Sequence, residues 1–590
     1  MYHRRFLVLM ISLIVATLGV TGWLALAPHP SRAALQTELR VCNTSGRNYQ
    51  TIQAAVDAAQ LGDVIKVAAG VYAESKMVSG FPYNLYITKT VEILGGFTCD
   101  NWTTRSYTEN LTTILPVNPA FAVVTIAGQY GQSATFAPTL DGFTIRGARS
   151  DNHGGGLRLI DTDAIIRNNA IQDNTAYLLG GGVWVQRGAP RLEHNRIENN
   201  RVTLGGSGYG GGIELEGTQA TLIGNIISSN VVSNSVGYGG GVSIDGGGPV
   251  LLVDNKIVGN ASAAITSATP QLDVGYGGGV FAQNAKVQLT GNLVQSNIAN
   301  AMPVSGSGGA IGHGGGIFIT HSPAFTLTGN TIISNTAGYK TSVYLSGGGL
   351  RIEFSDGRLT GNVIAGNRAN GKTTFGNGGG LAVFNSTLTI QGGRILNNKT
   401  TLNCEGYGGG LYAANSQITI NNTTLYKNCA ANTPFYGLGG GLAFINSPYT
   451  LTNSIIDQNY AFGNDTSVGG IFAGENSPGL IVNNTIANNN GQGIRFASAI
   501  TVTNNIILGH TTGISRTHSA PVTTIYNNFY DNNVNQRGFN LDPSNIVIDP
   551  QLDADFHLNA GSPAIDAGTR TSAPLHDFDG EPRPMQGHSG

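Results

Sequence analysis

Three carboxylates and a tryptophan stand where this sequence could do chemistry. Trp184 and Glu214 occupy the second place after a Gly-Gly-Gly triplet, and Glu216 and Asp245 the fourth. If successive triplets stack, Glu216 and Asp245 lie one strand apart, about 5 Å. Carboxylates that close could hold calcium, or split their pKa values for acid–base cleavage of a polymer. Trp184 beside them could stack on a sugar ring. A lyase would also need a base, and Arg187 is the nearest basic residue. A solvated acidic face with an incidental aromatic ring is the plainer reading. Tyr209, Tyr238 and Tyr276 each stand just before a triplet, and His313 fills the same slot in another unit. They read as a packed ladder ordering the loops, or as rings offered to a glycan.

Positioning these side chains requires a repeat. Ten triplets begin at residues from Gly154 to Gly439, and an asparagine follows each (Asn174 after the first, Asn459 after the last). The interval from first glycine to asparagine is 20 residues in eight units and 21 in two, whereas the stretch from asparagine to the next triplet varies from 5 to 16. A constant frame with one variable corner is a solenoid whose insertions leave from one edge.

One unit shows the template. In residues 180–200, Val183 and Val185 alternate with Trp184 and Gln186, Ala189-Pro190 turns the chain, and Arg191-Leu192-Glu193 forms a second short strand. Asn195 turns it again before Arg196-Ile197-Glu198. Three strands and three corners per unit cannot bury a core alone, so the units must stack as parallel coils. The first and third residues after each triplet are apolar throughout, from Leu157 and Leu159 to Leu442 and Phe444. They should face inward and the residues between them should face solvent. Asn195, Asn225, Asn255, Asn292, Asn330 and Asn362 share one register, where asparagine tolerates left-handed backbone and can bond its neighbours above and below. Sequons such as Asn260-Ala261-Ser262 carry no weight in so Asn-rich a chain.

These features resemble the right-handed parallel β-helix superfamily of pectate lyases and related surface proteins. The Gly-Gly-apolar and Ile-x-x-Asn alternation is similar to the repeats of polymorphic outer-membrane proteins. The resemblance implies an all-β fold of about fifteen coils, with the substrate of any enzyme lying along the outer face of one sheet. Gly312-His313-Gly314 matches a three-residue motif of polygalacturonases without the paired aspartates that precede it there. Ser562-Pro563-Ala564-Ile565-Asp566-Ala567-Gly568 and Asp577-Phe578-Asp579-Gly580 resemble the C-terminal region of choice-of-anchor surface proteins. Asp577 and Asp579 could bind calcium, but a capping turn fits them better.

Composition bounds the rest. The chain has 590 residues and 85 glycines, about twice the usual ~7% share. Its net charge of -2 and scattered basic residues argue against nucleic acid. His3, Arg4 and Arg5 precede an apolar run over 6–27 and a small-x-small site at Ser31-Arg32-Ala33, an export signal over 1–33; an uncleaved anchor is the alternative. No later stretch could cross a membrane. The expected organisation is a cap with irregular coils over 34–150, opened by a short helix near 49–59, regular coils over 151–533 and a C-terminal cap over 534–590. Cys404 and Cys429 lie in neighbouring variable corners and should bond, leaving Cys42 to pair with Cys99. The functional reading is a secreted or surface-associated protein that binds glycans or other extracellular ligands. The second reading is a polyuronide lyase or glycoside hydrolase using Glu214, Glu216 and Asp245.

Overall fold

The computed structural model describes residues 37–44, 49–151, 153–203, 206–233, 235–263, 273–301, 310–338, 344–369, 376–401, 406–430, 437–463 and 467–583. The expected leader and Cys404, and with it the Cys404–Cys429 pairing, lie outside these residues. Cys429 itself is buried.

Three long parallel sheets of 17, 16 and 16 strands form the body. Each coil runs from the glycine triplet into the third sheet (Val183–Gln186), across to the first (Arg191–Glu193) and on to the second (Arg196–Glu198). The next coil repeats in register, Val183 beside Ile213, Leu192 beside Leu222 and Ile197 beside Ile227. The two expected inward rows are fully buried from Leu157 to Phe444 in one continuous core. With sixteen strands about 4.8 Å apart, the solenoid is roughly 70 Å long, one coil more than expected.

The triplet is glycine for a separate reason at each place. Gly180 has φ +60°, and a Cβ there would stand 2.2 Å from the Val183 carbonyl oxygen. At Gly181 it would meet Gly211 O at 2.4 Å and Arg201 N at 2.6 Å, because the chain leaving the second asparagine corner crosses here. At Gly182 it would press on Gly212 O and the Asn200 amide.

Asparagine ladders hold the corners. The Asn230 N–H and side-chain amide both donate to Asn260 Oδ1 (2.9 and 3.0 Å), and the same amide donates to Ile197 O at 2.8 Å. This pattern repeats from Asn174 to Asn459 and in a second row from Asn169 to Asn362. Asn260 is fully buried and its amide is fully used, so the sequon there is no modification site. A serine ladder at the third corner runs Ser322, Ser355, Ser386, Ser416, Ser447 and Ser477, each backbone N–H donating to the next hydroxyl.

One rung is a histidine. His510 accepts from the Asn489 amide at Nε2 (3.2 Å) and donates from Nδ1 to Asn532 Oδ1 (3.0 Å). Protonation would set N–H against N–H, and burial pushes its pKa down to about 4. The unfolded chain therefore takes up this proton first, and stability falls as pH drops from 6.5 toward 4. We expect about 2–3 kcal/mol to be lost over that window. His510→Asn keeps the rung and should remove this component from urea denaturation curves measured at several pH values.

The ends are capped. The expected N-terminal helix spans Ile52–Ala58. The Glu74 carboxylate accepts from the Ile52 and Gln53 N–H groups (2.8 and 3.0 Å), while Lys89 Nζ donates to Val56, Asp57 and Ala59 carbonyls, so both ends of the helix dipole meet opposite charge. Cys42 and Cys99 are bonded, with Cα atoms 5.6 Å apart, as expected. Phe539 and Leu541 pack on the last core coils. The chain then doubles back as a strap along the corner between the first and second sheets. Asn504 exchanges two hydrogen bonds with Thr569 (2.7 and 2.8 Å), Asn453 donates to His576 O (2.8 Å) and Asn422 to Phe578 O (3.2 Å). This left-handed corner is asparagine at 422, 453, 483 and 504, and mostly glycine in earlier coils (Gly224, Gly291, Gly329, Gly361, Gly392). Both residue types tolerate the conformation, but only asparagine can grip the strap. The Asp577 carboxylate accepts from Asp579 and Glu581 N–H groups in a closed turn, as the capping reading has it.

Candidate functional site

The outer face of the third sheet carries Trp184, Glu214, Glu216 and Asp245, the acids and the indole that the sequence singled out. Strand alternation aims the second and fourth residues after each triplet outward. Register then lines up Arg158, Trp184, Glu214, Ser243, Phe281, Phe318 and Arg351 in one row and Gln186, Glu216, Asp245 and Gln283 in the next.

The first of these rows is not in solvent. Trp184 is 3% exposed, Glu214 2%, Phe281 1% and Phe318 4%. Over Phe281 and Phe318 lies an eight-stranded outer sheet that the repeat pattern did not predict. It is made of the few residues before each triplet, including Ser207–Tyr209, Val236–Tyr238 and Ala310–His313. Tyr209, Tyr238 and Tyr276 stack face to face at 4.5 and 5.0 Å, and Tyr238 and Tyr276 pack on Phe281 and Phe318 at 4.9 and 5.5 Å. The tyrosines therefore form the packed ladder, each half-buried and stacked on the next. Burial and the neighbouring tyrosine rings push the Tyr238 hydroxyl up to about 12. His313 takes the next rung at 5.6 Å. It receives Arg351 Nη1 at Nδ1 (2.8 Å), and burial with that guanidinium keeps it neutral. Arg351 is itself held by Glu353 (2.8 Å) and the Phe384 ring.

Glu214 sits beneath this layer. Burial, reinforced by Asp245 and Glu216, lifts its pKa well above the usual carboxylate range. The Ser243 hydroxyl beside it is the one group favouring its charge, yet neither Glu214 Oε2 nor Ser243 Oγ makes a well-formed hydrogen bond. The unfolded chain ionises this group and the native one resists, so it opposes folding increasingly as pH rises above 4.5. Glu214→Gln should therefore raise stability at pH 7, by about 1–2 kcal/mol, and leave it unchanged near pH 4. Thermal melts at the two pH values check this.

Glu216 and Asp245 are brought together as expected, on paired strands and half-exposed. Trp184 Nε1 donates to Glu216 Oε2 at 3.3 Å, its ring packs on Arg158 and His153 (both 5.1 Å) and the residue is 3% exposed, so it offers no free face to a sugar. Arg187 is not a free base: its guanidinium is bidentate to Asp161 (2.7 and 2.6 Å). Among the described residues no three His, Cys, Asp or Glu side chains are placed to hold a metal ion. The accessible chemistry is a polar stripe of Gln186, Glu216, Asp245 and Gln283. Sequence reasoning placed that stripe correctly. It missed the enclosure of Glu214, although two phenylalanines on a supposedly wet face were a signal for it.

Among the described residues no helix is long and apolar enough to cross a membrane. No curated protein matches the chain. A family model for the right-handed β-helix region matches residues 128–341 and 403–549, together more than half of the sequence. With three parallel sheets closing one solenoid core, the chain belongs to the right-handed β-helix family.

Proposed function

We propose that this is a secreted or surface-associated protein that binds glycans along the outer face of its third sheet. One observation carries the reading: Gln186, Glu216, Asp245 and Gln283 repeat at single-coil intervals and are half-buried, in and beside the coils that carry the stacked Tyr209, Tyr238 and Tyr276. Amide and carboxylate groups about 4.8 Å apart along one axis suit the hydroxyls of a linear polymer. Glu214 is enclosed, so it supports the surface without reaching a ligand. The fold alone favours no particular activity.

The test is a polysaccharide panel, with and without calcium, read by affinity electrophoresis and by assays for unsaturated products and reducing ends. The expected result is binding without product. The double variant Glu216→Gln/Asp245→Asn should weaken that binding at least ~10-fold. Product formed by the parent protein and lost in the double variant would instead establish a lyase or hydrolase.

A further inference from the structure

We infer that the cleft between the C-terminal strap and the second sheet is a separate binding site, built for an extended, uncharged oligosaccharide. It lies on a different face from the Glu216 stripe, and neither site depends on the other. Asn504, Asn453 and Asn422 pin the strap at the corner, where Arg583 Nη1 adds bonds to Asn453 Oδ1 (2.6 Å) and His576 O (2.9 Å). Beyond that corner the strap and the sheet line a cleft of 1790 Å³. Small-molecule sites run to about 300–1,000 Å³, so this one has room for an oligomer.

The floor is one row of the second sheet. Thr424, Ile455, Thr485, Ile506 and Asn528 are register partners on five successive strands, and all line the cleft. The residue after each belongs to the core, so this row faces outward. Hydroxyl and aliphatic side chains alternate along it at a spacing of about 4.8 Å. An extended β-1,4-linked chain advances by nearly one coil per sugar, with hydroxyls at the ring edges and C–H groups on the ring faces. At the end of the row Asn528 is 3% exposed; its Oδ1 accepts from the Ile548 N–H (3.4 Å), while its Nδ2 has no hydrogen-bond partner. A buried amide donor left open in a cleft wall calls for an acceptor oxygen.

Charge and topology exclude the other ligands. Five aspartates line the cleft against two arginines and one histidine, so a polyanion is repelled. Nor do the acids call for a cation. Asp457 accepts from the Asn488 and Gln458 amides (3.2 and 3.0 Å), Asp577 closes its own turn, and Asp579 holds His557 (3.1 Å). The floor strands from Ile455 to Ile506 are paired on both sides, so they offer no sheet edge to an extended peptide.

The experiment is calorimetric titration of the full chain with cellohexaose, the coiled maltohexaose, hexagalacturonate and an uncharged Thr-Asn hexapeptide. Cellohexaose is expected to bind at least ~10-fold more tightly than the other three. Thr485→Trp sets an indole on the cleft floor and should cut that affinity at least ~10-fold, while Thr485→Ser should keep it; melting curves check that both variants are folded. Hydrogen exchange of the parent protein gives a readout that needs no variant: saturating cellohexaose should slow exchange in residues 554–570. Binding that Thr485→Trp leaves intact, or exchange in the strap that does not slow, overturns the cleft as the site and leaves the third-sheet reading standing. Equal or tighter binding of maltohexaose, hexagalacturonate or the peptide overturns the ligand class. Binding by none of the probes overturns the inference.

Discussion

Gly211→Ala is expected to break the solenoid at its third regular coil. The new Cβ would lie 2.5 Å from Gly240 O and 2.7 Å from Val231 C and N, all backbone atoms with no flexible side chain to yield. Relief needs the corner to open, which parts the triplet from the coil above. The cost is on the order of 4 kcal/mol. Each coil contacts only its neighbours, so the break also uncouples the stacks on either side. Hydrogen exchange should show lost protection from Ser207–Tyr209 through Val242–Asp245, and limited proteolysis should cut there. A melting temperature within about 2 °C of the parent would refute this steric account.

Asn260→Asp should be nearly as damaging although it changes no volume. Asn260 Nδ2 donates to Ile227 O and Asn297 Oδ1 (2.9 and 3.0 Å), while its Oδ1 accepts two bonds from Asn230. The substitution points a carboxylate oxygen at two acceptors in a fully buried site. A charge left there without a partner costs about 3–5 kcal/mol. The new carboxyl has a folded pKa raised above its unfolded value, so the penalty is present at neutral pH and shrinks as pH falls toward 4. Denaturant midpoints of parent and variant should therefore converge in acid. A constant gap between pH 7 and pH 4 would show that charge is not the cause.

The legible part of this protein was whatever the backbone imposes on each coil separately. A left-handed φ at Gly180 or Asn453, a crossing too close for a Cβ at Gly181 and an amide ladder at Asn230 each demand one residue type at one place. Repetition turned those demands into a readable period. The serine ladder was equally periodic, at intervals of 30 or 31 residues from Ser355 to Ser477, but serine is too common in turns to stand out. The outer sheet was hidden because its strands are two to four residues long and follow loops of variable length. Glu214 could be assigned to an outward row, but its 2% exposure could not be read from the repeat, which shows an outward face and not what covers it. The strap was hidden for a different reason: its partners lie 65 to 156 residues away in sequence.

That separation has a consequence for biosynthesis. Coils near the N-terminus can close in the order in which they are made, since each rung needs only the next coil. The coils bearing Asn422, Asn453 and Asn504 emerge with those amides facing water, and their partners at Thr569, His576 and Phe578 are translated last. Vectorial assembly thus runs forward through the body and finishes by reaching back. A nascent chain stalled ahead of Thr569 would hold a nearly complete solenoid whose late coils are still unclasped.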